Sequence, residues 1–275
     1  MKLNITPELS FDMINDMEDM NFFTYSQIFD DLLIVSQKAT NCFVWKTEDG
    51  LVIFDAIWPN IIVYNTIIKA IQSVGWNPNN INKLVLTHGH VDHTGCGKWF
   101  VEKHSVKTYL SKIDDIFWQN NPTKPDRPDT WKDFDIECYL QDGDIIPCKD
   151  KNIYVYSTPG HTPGCLSYIF PIAENGVTHM AALLGGATPP WGNSTGIEQF
   201  LDSLNYFRNK AKEKHVDVAL CNHTAFDNGL ERIAYSSKRL SYMPNIYIIG
   251  ENGFERYCDM FKTLGLTAQK ALKHE

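Results

Sequence analysis

Four residues of metal-binding types lie within the run 88–93, which reads His-Gly-His-Val-Asp-His. Residues two apart on an extended chain point to the same side, so His88 and His90 can reach one metal ion together. Asp92 and His93 then face a second position. Neutral imidazole and carboxylate are ligands that zinc accepts in catalytic sites, where one coordination position stays open for water. The run therefore predicts a metal centre that activates water for hydrolysis.

Two histidines further along the chain offer additional ligands. His161 lies in the sequence Pro-Gly-His-Thr-Pro-Gly, a rigid turn that can hold an imidazole at the edge of a sheet. His223 follows a predicted strand that ends near Leu220. The remaining histidines have no neighbours of ligand type and are interpreted as core or surface residues: His104, His179, His215 and His274.

The predicted strands and helices place these candidate ligands at strand ends. An Asp-Gly step before residue 51 is a hairpin signal, and Asp55, at the end of the next strand, is a candidate to hydrogen-bond a histidine ligand. The predicted strands are 41–46, 51–55, 83–86, 107–110, 153–157, 166–170, 179–184 and 216–220, and the predicted helices are 61–74, 97–104, 113–119, 197–213 and one or two within 250–273. Prolines make the segment 120–135 an irregular excursion that could cover a site. The succession suits two sheets sandwiched between helices, in one domain over residues 1–275.

Composition and charge favour a globular protein with a small-molecule substrate. The chain is 43% hydrophobic and has a formal net charge of -8 with no basic run, which argues against a nucleic-acid partner. Its apolar runs are too short to cross a bilayer, and the acidic segment 1–20 is unlike a secretory signal, so we expect a cytoplasmic protein without a membrane partner. The seven cysteines include no Cys-x-x-Cys pair, and Cys96 and Cys221 are expected to be buried thiols rather than ligands.

The motif His-x-His-x-Asp-His, followed in order by the two later histidines, resembles the metallo-β-lactamase superfamily. The resemblance extends from about residue 41 to the last predicted strand. It implies an α/β fold, the four-layer αββα sandwich, with two zinc ions, although iron or manganese at one position is an alternative. The implied ligands are His88, His90 and His161 for the first ion and Asp92, His93 and His223 for the second. A hydroxide bridging the ions would attack an amide or ester carbonyl, and Asp92 would orient it or relay its proton.

One position departs from the general pattern of the superfamily. Most members, including glyoxalase II and the lactone hydrolases, have a metal-bridging Asp after the strand that ends here as Leu-Leu-Gly-Gly at 183–186. Glycine at this place resembles the third subclass of metallo-β-lactamases. That subclass also has serines in the following loop that hold the substrate carboxylate, where this chain offers Gly186 and Thr188. The resemblance thus implies a β-lactamase-like hydrolase with Thr188 as a substrate-binding residue.

Other functions stay open at this point. A thioester or lactone hydrolase uses the same kind of centre, and an effector-binding member without catalysis is a further alternative. The expected lack of a secretory signal weighs against a dedicated, exported resistance enzyme. Diiron relatives normally have Glu at the position of His90 and a flavin module, and nucleic-acid-processing relatives need an added domain or a basic surface. Four tryptophans near loops either line an apolar pocket or pack in the core: Trp58, Trp118, Trp131 and Trp191.

Overall fold

The computed structural model describes residues 22–120 and 133–273, and two sheets form within them. The strands of the first sheet are β1 (Thr24–Phe29), β2 (Leu32–Gln37), β3 (Thr40–Thr47), β4 (Gly50–Phe54), β5 (Ile81–Val85), β6 (Lys107–Ser111) and β7 (Cys138–Leu140). They lie side by side in sequence order, antiparallel from β1 to β4 and parallel from β4 to β7. The carboxyl ends of the parallel strands therefore share one edge of this sheet.

The second sheet is built from the later part of the chain. Its strands are β8 (Ile145–Cys148), β9 (Lys151–Ser157), β10 (Leu166–Glu174), β11 (Val177–Leu184) and β12 (Val218–Cys221). The spatial order is β12-β11-β10-β9-β8, and among the described strands of this second sheet only the β11–β12 pair is parallel. A long crossover between β11 and β12 makes that parallel pairing possible.

The described residues form seven α-helices. They are α1 (Ile61–Ser73), α2 (Val91–Thr94), α3 (Gly97–His104), α4 (Lys112–Asn120), α5 (Ser194–Glu213), α6 (Gly229–Ser236) and α7 (Glu251–Leu272). The side chain of Asn60 caps α1 by accepting from the Ile62 N–H at 2.8 Å, and Asn193 caps α5 in the same way through the Gly196 N–H. In the part of the chain that the structure describes, no helix has the length and apolar character needed to span a membrane.

Three hydrophobic clusters separate four layers. Trp45 and Phe54 of the first sheet meet Phe170 of the second, and the rings of Phe54 and Phe170 stack with centroids 4.6 Å apart. Ile67 of α1 and Phe100 of α3 are buried on the outer face of the first sheet, while α5 and α7 cover the second. Burial of each such large apolar side chain contributes about 1.5–3 kcal/mol. The predicted four-layer αββα sandwich is confirmed.

Most predicted elements are confirmed, with ends shifted by up to about four residues. The predicted terminal helices are the single helix α7. Strands β1, β2, β7 and β8 and helices α2 and α6 are absent from the predicted set. β2 is buried on both faces and so lacks the alternation that identifies a strand, while β8 contains Pro147, which its position at the sheet edge tolerates. The predicted excursion at 120–135 falls largely on residues 121–132, outside the described ranges.

Candidate metal centre

The predicted ligands follow the ends of strands from both sheets. The segment after β5 supplies His88, His90, Asp92 and His93, the β9–β10 connection supplies His161, and the residues after β12 supply His223. Hydrogen bonds join the sheets at this edge: the Leu166 N–H donates to the Thr87 carbonyl (2.9 Å), the Tyr168 hydroxyl to the Leu86 carbonyl (2.6 Å) and the Asn41 N–H to the Asn222 carbonyl (2.8 Å). All six predicted ligands are thereby brought to one edge of the sandwich.

The first group of ligands consists of His88, His90 and His161. The Nε2 atom of His161 lies 3.2 Å from Nε2 of His88 and 3.1 Å from Nδ1 of His90. Zinc–nitrogen bonds of 2.0–2.1 Å at tetrahedral angles place ligand nitrogens about 3.3 Å apart. The spacing of these three nitrogens therefore fits a tetrahedral ion, with a fourth position left for water or substrate.

The second group consists of Asp92, His93 and His223. Nε2 of His93 lies 3.2 Å from Nε2 of His223 and 3.3 Å from Oδ2 of Asp92, and the same carboxylate oxygen lies 3.7 Å from Nε2 of His223. The ring of His93 lies 4.1 Å from that of His88 in the first group, measured between centroids. Two nitrogens and one oxygen thus converge next to the first group and form a second set of atoms that could hold a metal ion.

Four imidazoles of the two groups are neutral near pH 7. Burial is the largest cause, and the surrounding imidazoles add to it, because a second positive charge nearby disfavours protonation. The pKa of His88 lies well below its usual value, and lowered pKa values of about 3, 4 and 4 belong to His90, His161 and His223. A neutral imidazole has the lone pair that a metal ion needs, so these rings are prepared as ligands.

His93 and Asp92 form a charged pair inside the second group. Burial disfavours the imidazolium of His93, but the carboxylates of Asp92 and Asp55 outweigh it and raise the pKa of His93 to about 10. Burial also acts against the Asp92 carboxylate, and the imidazoles of His93 and His223 outweigh it and hold the pKa of Asp92 far below its usual value. The carboxylate is therefore ionised, and a cation bound at Nε2 of His93 would replace a proton.

Asp55 orients a ligand in each group, as its position at a strand end predicted. Its Oδ2 atom lies 2.8 Å from Nδ1 of His93, and its two oxygens accept from the N–H (2.8 Å) and the hydroxyl (2.8 Å) of Thr87. Because that hydroxyl proton is given to Asp55, the Thr87 oxygen accepts from Nδ1 of His88 at 3.0 Å. Both rings are then protonated at Nδ1 when neutral, which directs Nε2 toward the metal positions.

Thr188 contacts a ligand rather than open space. Its backbone carbonyl accepts from Nδ1 of His161 at 2.8 Å, and its hydroxyl oxygen lies 3.0 Å from the same atom. Thr188 thus fixes the ring of His161 with Nε2 directed at His88 and His90. Its predicted contact with a substrate carboxylate stays a prediction.

Two residues at the centre have no sequence signal and were missed. Thr40 donates its hydroxyl to Oδ2 of Asp92 at 3.2 Å, and buried Asp114 accepts from the N–H of Gly89, between two ligands. Each partner lies at least 25 residues away along the chain. A short motif cannot show such contacts, and only the assembled fold brings them together.

The other residues singled out in the sequence lie outside the two groups where the structure describes them. His104 contacts the Tyr64 hydroxyl (2.7 Å), His179 pairs with Asp217 (2.5 Å) and His215 with Glu251 (3.3 Å), while His274 and Trp131 fall outside the described residues. The predicted buried thiols are Cys96 and Cys221, and burial raises the pKa of each to about 12. Trp118 is buried and Trp58 partly buried, whereas Trp191 is 53% exposed.

An apolar groove of about 390 Å³ lies beside the first group. It is lined by Ile113, Ile116, Phe117, Asn120 and Pro163. The ring of Phe117 lies 5.6 Å from that of His90, and Pro163 follows His161 by two residues. Apolar surface is therefore present next to the first group.

The four neutral histidines predict that the metal-free protein is sensitive to acid. Unfolding returns each pKa to about 6.5, so below that pH the unfolded chain binds more protons than the folded one. The free energy of unfolding should therefore be highest with respect to these rings above pH 6.5. Below that pH it should fall by about 1.4 kcal/mol per pH unit for each ring. His93 has a raised pKa, so its protonation stabilises the folded protein, and this contribution is lost only as the pH rises above 6.5.

The measurement is the Tm of the metal-free protein between pH 7.5 and pH 5. We expect a continuous fall below pH 6.5 and a shallower fall in His90→Ala, which lacks one of the four rings. Equal slopes in the two proteins would contradict the neutral state of this imidazole.

Comparisons of the sequence with known proteins find similarity in one part of the chain above all. A family model described as the metallo-beta-lactamase superfamily matches residues 36–174. Hydroxyacylglutathione hydrolase GloC of Haemophilus influenzae is 26% identical over 151 residues, which cover 50% of this chain and 65% of that protein. A hydroxyacylglutathione hydrolase of Buchnera aphidicola is 32% identical over 102 residues, 37% of this chain and 33% of that protein. The chain thus spans less than two thirds of the length of these curated relatives.

Solved structures extend the likeness over nearly the whole chain. The subclass B3 metallo-beta-lactamase BJP-1 of Bradyrhizobium japonicum has a TM-score of 0.72 at 19% identity and covers 94% of this chain and 96% of its own. The metallo-beta-lactamase FEZ-1 of Legionella gormanii has a TM-score of 0.73 at 17% identity and covers 90% of this chain and 97% of its own. At these identities the likeness shows a shared fold and nothing beyond it.

Proposed function

The chain belongs to the metallo-beta-lactamase superfamily, whose members are hydrolases, and we propose that it is a zinc-dependent hydrolase of a small-molecule amide or ester. In this proposal residues 1–275 form one catalytic domain. The first zinc ion is held by His88, His90 and His161 and the second by Asp92, His93 and His223.

The observation that carries the proposal is the spacing of the ligand atoms in two adjacent groups. Imidazole nitrogens about 3.2 Å apart point at common positions, and Asp55 and Thr188 hold the rings in that orientation. When bound, two zinc ions polarise a carbonyl and lower the pKa of water to about 7, which makes water a nucleophile at neutral pH.

Asp92 is the residue that we assign to the chemical step. Its Oδ2 atom faces His93, His223 and the Thr40 hydroxyl, so we assign contact with the attacking water to Oδ1. Because the pKa of this carboxylate is held very low, it orients the water by accepting a hydrogen bond and does not retain the proton.

The glycine pair after β11 favours a β-lactamase-like substrate. A Cβ atom at Gly186 would lie 2.3 Å from Cβ of His161, and one at Gly185 would lie 1.9 Å from the carbonyl oxygen of Leu166. Neither position has room for a side chain that bridges the metals. A centre without a bridging carboxylate is the feature in which this chain resembles the third subclass of metallo-β-lactamases.

A thioester hydrolase is the second candidate. Two observations favour it: the curated relatives named above are hydroxyacylglutathione hydrolases, and the apolar groove beside His90 can receive an acyl chain. A lactone with an acyl substituent would use the same groove.

The test is elemental analysis of the purified protein together with a hydrolysis screen. We expect about two zinc ions per chain and turnover of a chromogenic β-lactam that a chelator abolishes and added zinc restores. The same preparation is assayed with a hydroxyacylglutathione thioester and an acylated lactone. Turnover of these alone would favour the second candidate, and protein that binds no metal would contradict both.

A further inference from the structure

Asp114, in the first turn of α4, is a fully buried carboxylate with three donors aimed at it. Its Oδ2 atom accepts from the N–H of Gly89 (2.8 Å) and the hydroxyl of Thr162 (2.7 Å), and its Oδ1 atom accepts from the N–H of Gly164 (2.6 Å). Burial raises the pKa of Asp114, and these three hydrogen bonds oppose that rise. Burial of this carboxylate is therefore tolerated because the three hydrogen bonds offset the cost of removing it from water.

The donors belong to the two turns that carry the first group of ligands. Gly89 lies between His88 and His90, and Thr162 and Gly164 follow His161. Ser111 strengthens the link, because its hydroxyl donates to the Gly164 carbonyl at 2.6 Å and accepts from the backbone N–H of Asp114 at 3.0 Å. The N-terminal end of α4 thus joins two turns that are about 70 residues apart in the sequence.

Both turns pack directly on α4. A Cβ atom at Gly89 would lie 2.8 Å from the carbonyl oxygen of Asp114 and 2.9 Å from Cβ of Trp118. One at Gly164 would lie 2.3 Å from the hydroxyl oxygen of Ser111 and 2.6 Å from the backbone nitrogen of Asp114. Glycine is therefore required in each turn, and the position of α4 fixes the distance between the turns.

The second group of ligands has its own supports. His93 is held by Asp55, Asp92 by Thr40, and the segment after His223 by a hydrogen bond from the Thr224 N–H to the Ala39 carbonyl at 2.9 Å. The groups contacted by Asp114 are not among these supports.

We propose that Asp114 is a positioning residue that holds the turn of His88 and His90 against the turn of His161, and thereby controls retention of the metal ion at the first position. The inference rests on the proposed function for the metal but not for the substrate. The carboxylate of Asp114 acts on the ligands through the backbone N–H groups of Gly89 and Gly164 and the hydroxyl of Thr162.

The test is the variant Asp114→Asn, which keeps the shape but replaces one acceptor oxygen by an NH₂ group. That NH₂ would face at least one of the three donors, so one turn loses its anchor. We expect a fall of about 10- to 100-fold in zinc affinity at one of two positions, measured by titration with a competing chelator. The other position should keep its affinity.

The matched control is Asp115→Asn, at the next residue, which is also buried but hydrogen-bonds the Tyr139 hydroxyl (2.9 Å). It should retain both zinc ions. Thr162→Val, which removes one donor, should show a smaller loss in the same direction, and Thr162→Ser should restore wild-type affinity. These milder variants keep the proposal testable if Asp114→Asn does not fold.

A second readout separates this inference from the proposed function. In the metal-free protein, the amide protons of Gly89 and Gly164 should exchange with solvent faster in Thr162→Val and Asp114→Asn than in the wild type. This result is expected even if the wild type turns over no substrate. Wild-type zinc affinity at both positions and unchanged exchange in Asp114→Asn would overturn the proposal.

Discussion

Replacing His88 by alanine is expected to remove metal from the first position and to lower hydrolysis by at least about a thousandfold. His88 is fully buried, with Nε2 3.2 Å from Nε2 of His161 and its ring 4.1 Å from that of His93. Its loss leaves two ligands at the first position and a cavity between the two groups. Metal ions supply several kcal/mol of charge stabilisation to the transition state, which corresponds to the expected loss in rate.

Metal content and hydrolysis are measured together, with His223→Ala as the companion variant. His223 belongs to the second group, so this variant should keep the first metal and lose the second. His104→Ala is the control, because this histidine contacts Tyr64 and should leave both metals in place. Retention of two metals by either His88→Ala or His223→Ala would refute the assignment of the ligands.

The six proposed metal ligands were predictable as a cluster because their signal is local. A buried strand, a six-residue run and a Pro-Gly-His-Thr-Pro-Gly turn are features of short segments, and the structure brings all six residues together. The fold class was predictable because the succession of strand-like and helix-like segments suits two sheets sandwiched between helices, and the structure places Phe43 and Trp45 of β3 between the sheets and Cys42 and Val44 under the helices.

The parts that were missed depend on contacts between distant segments. β2 reads Leu-Leu-Ile-Val and is buried on both faces, a pattern that periodicity alone does not assign to strand or helix. The hydrogen bonds of Thr40 to Asp92 and of Asp114 to Gly89 join residues 52 and 25 positions apart. Neither residue belongs to a motif, and an isolated Asp or Thr has no sequence feature that marks it as a support of a ligand.

The glycine at position 186 shows how packing limits the chemistry of the site. A bridging carboxylate would need a side chain at this position. A Cβ atom added to Gly186 would lie 2.3 Å from Cβ and 2.9 Å from Cγ of His161, so the space is already filled. His161 cannot retreat easily, because Thr188 holds its ring and Asp114 holds the following turn. The absence of a bridging residue is therefore built into the backbone of this turn.

Gly186→Asp is accordingly expected to destroy the first metal position rather than to create a bridged centre. We expect loss of one zinc ion and a fall in hydrolysis of at least about a hundredfold. The ligands of the second position would hold a single cation, and one cation polarises the substrate carbonyl less than two. Gly186→Ala should have nearly the same effect, because the clash begins at Cβ.

The control for the loss of a glycine is Gly143→Ala, whose new Cβ atom meets nothing within 4 Å. Its positive φ of 82° makes alanine there mildly destabilising, but both metals should remain bound. Zinc content, zinc affinity and Tm are measured for all three variants. Two tightly bound zinc ions in Gly186→Asp would contradict this prediction. They would mean that His161 can move aside, and that the centre has no bridging carboxylate because the residue is glycine and not because the space is filled.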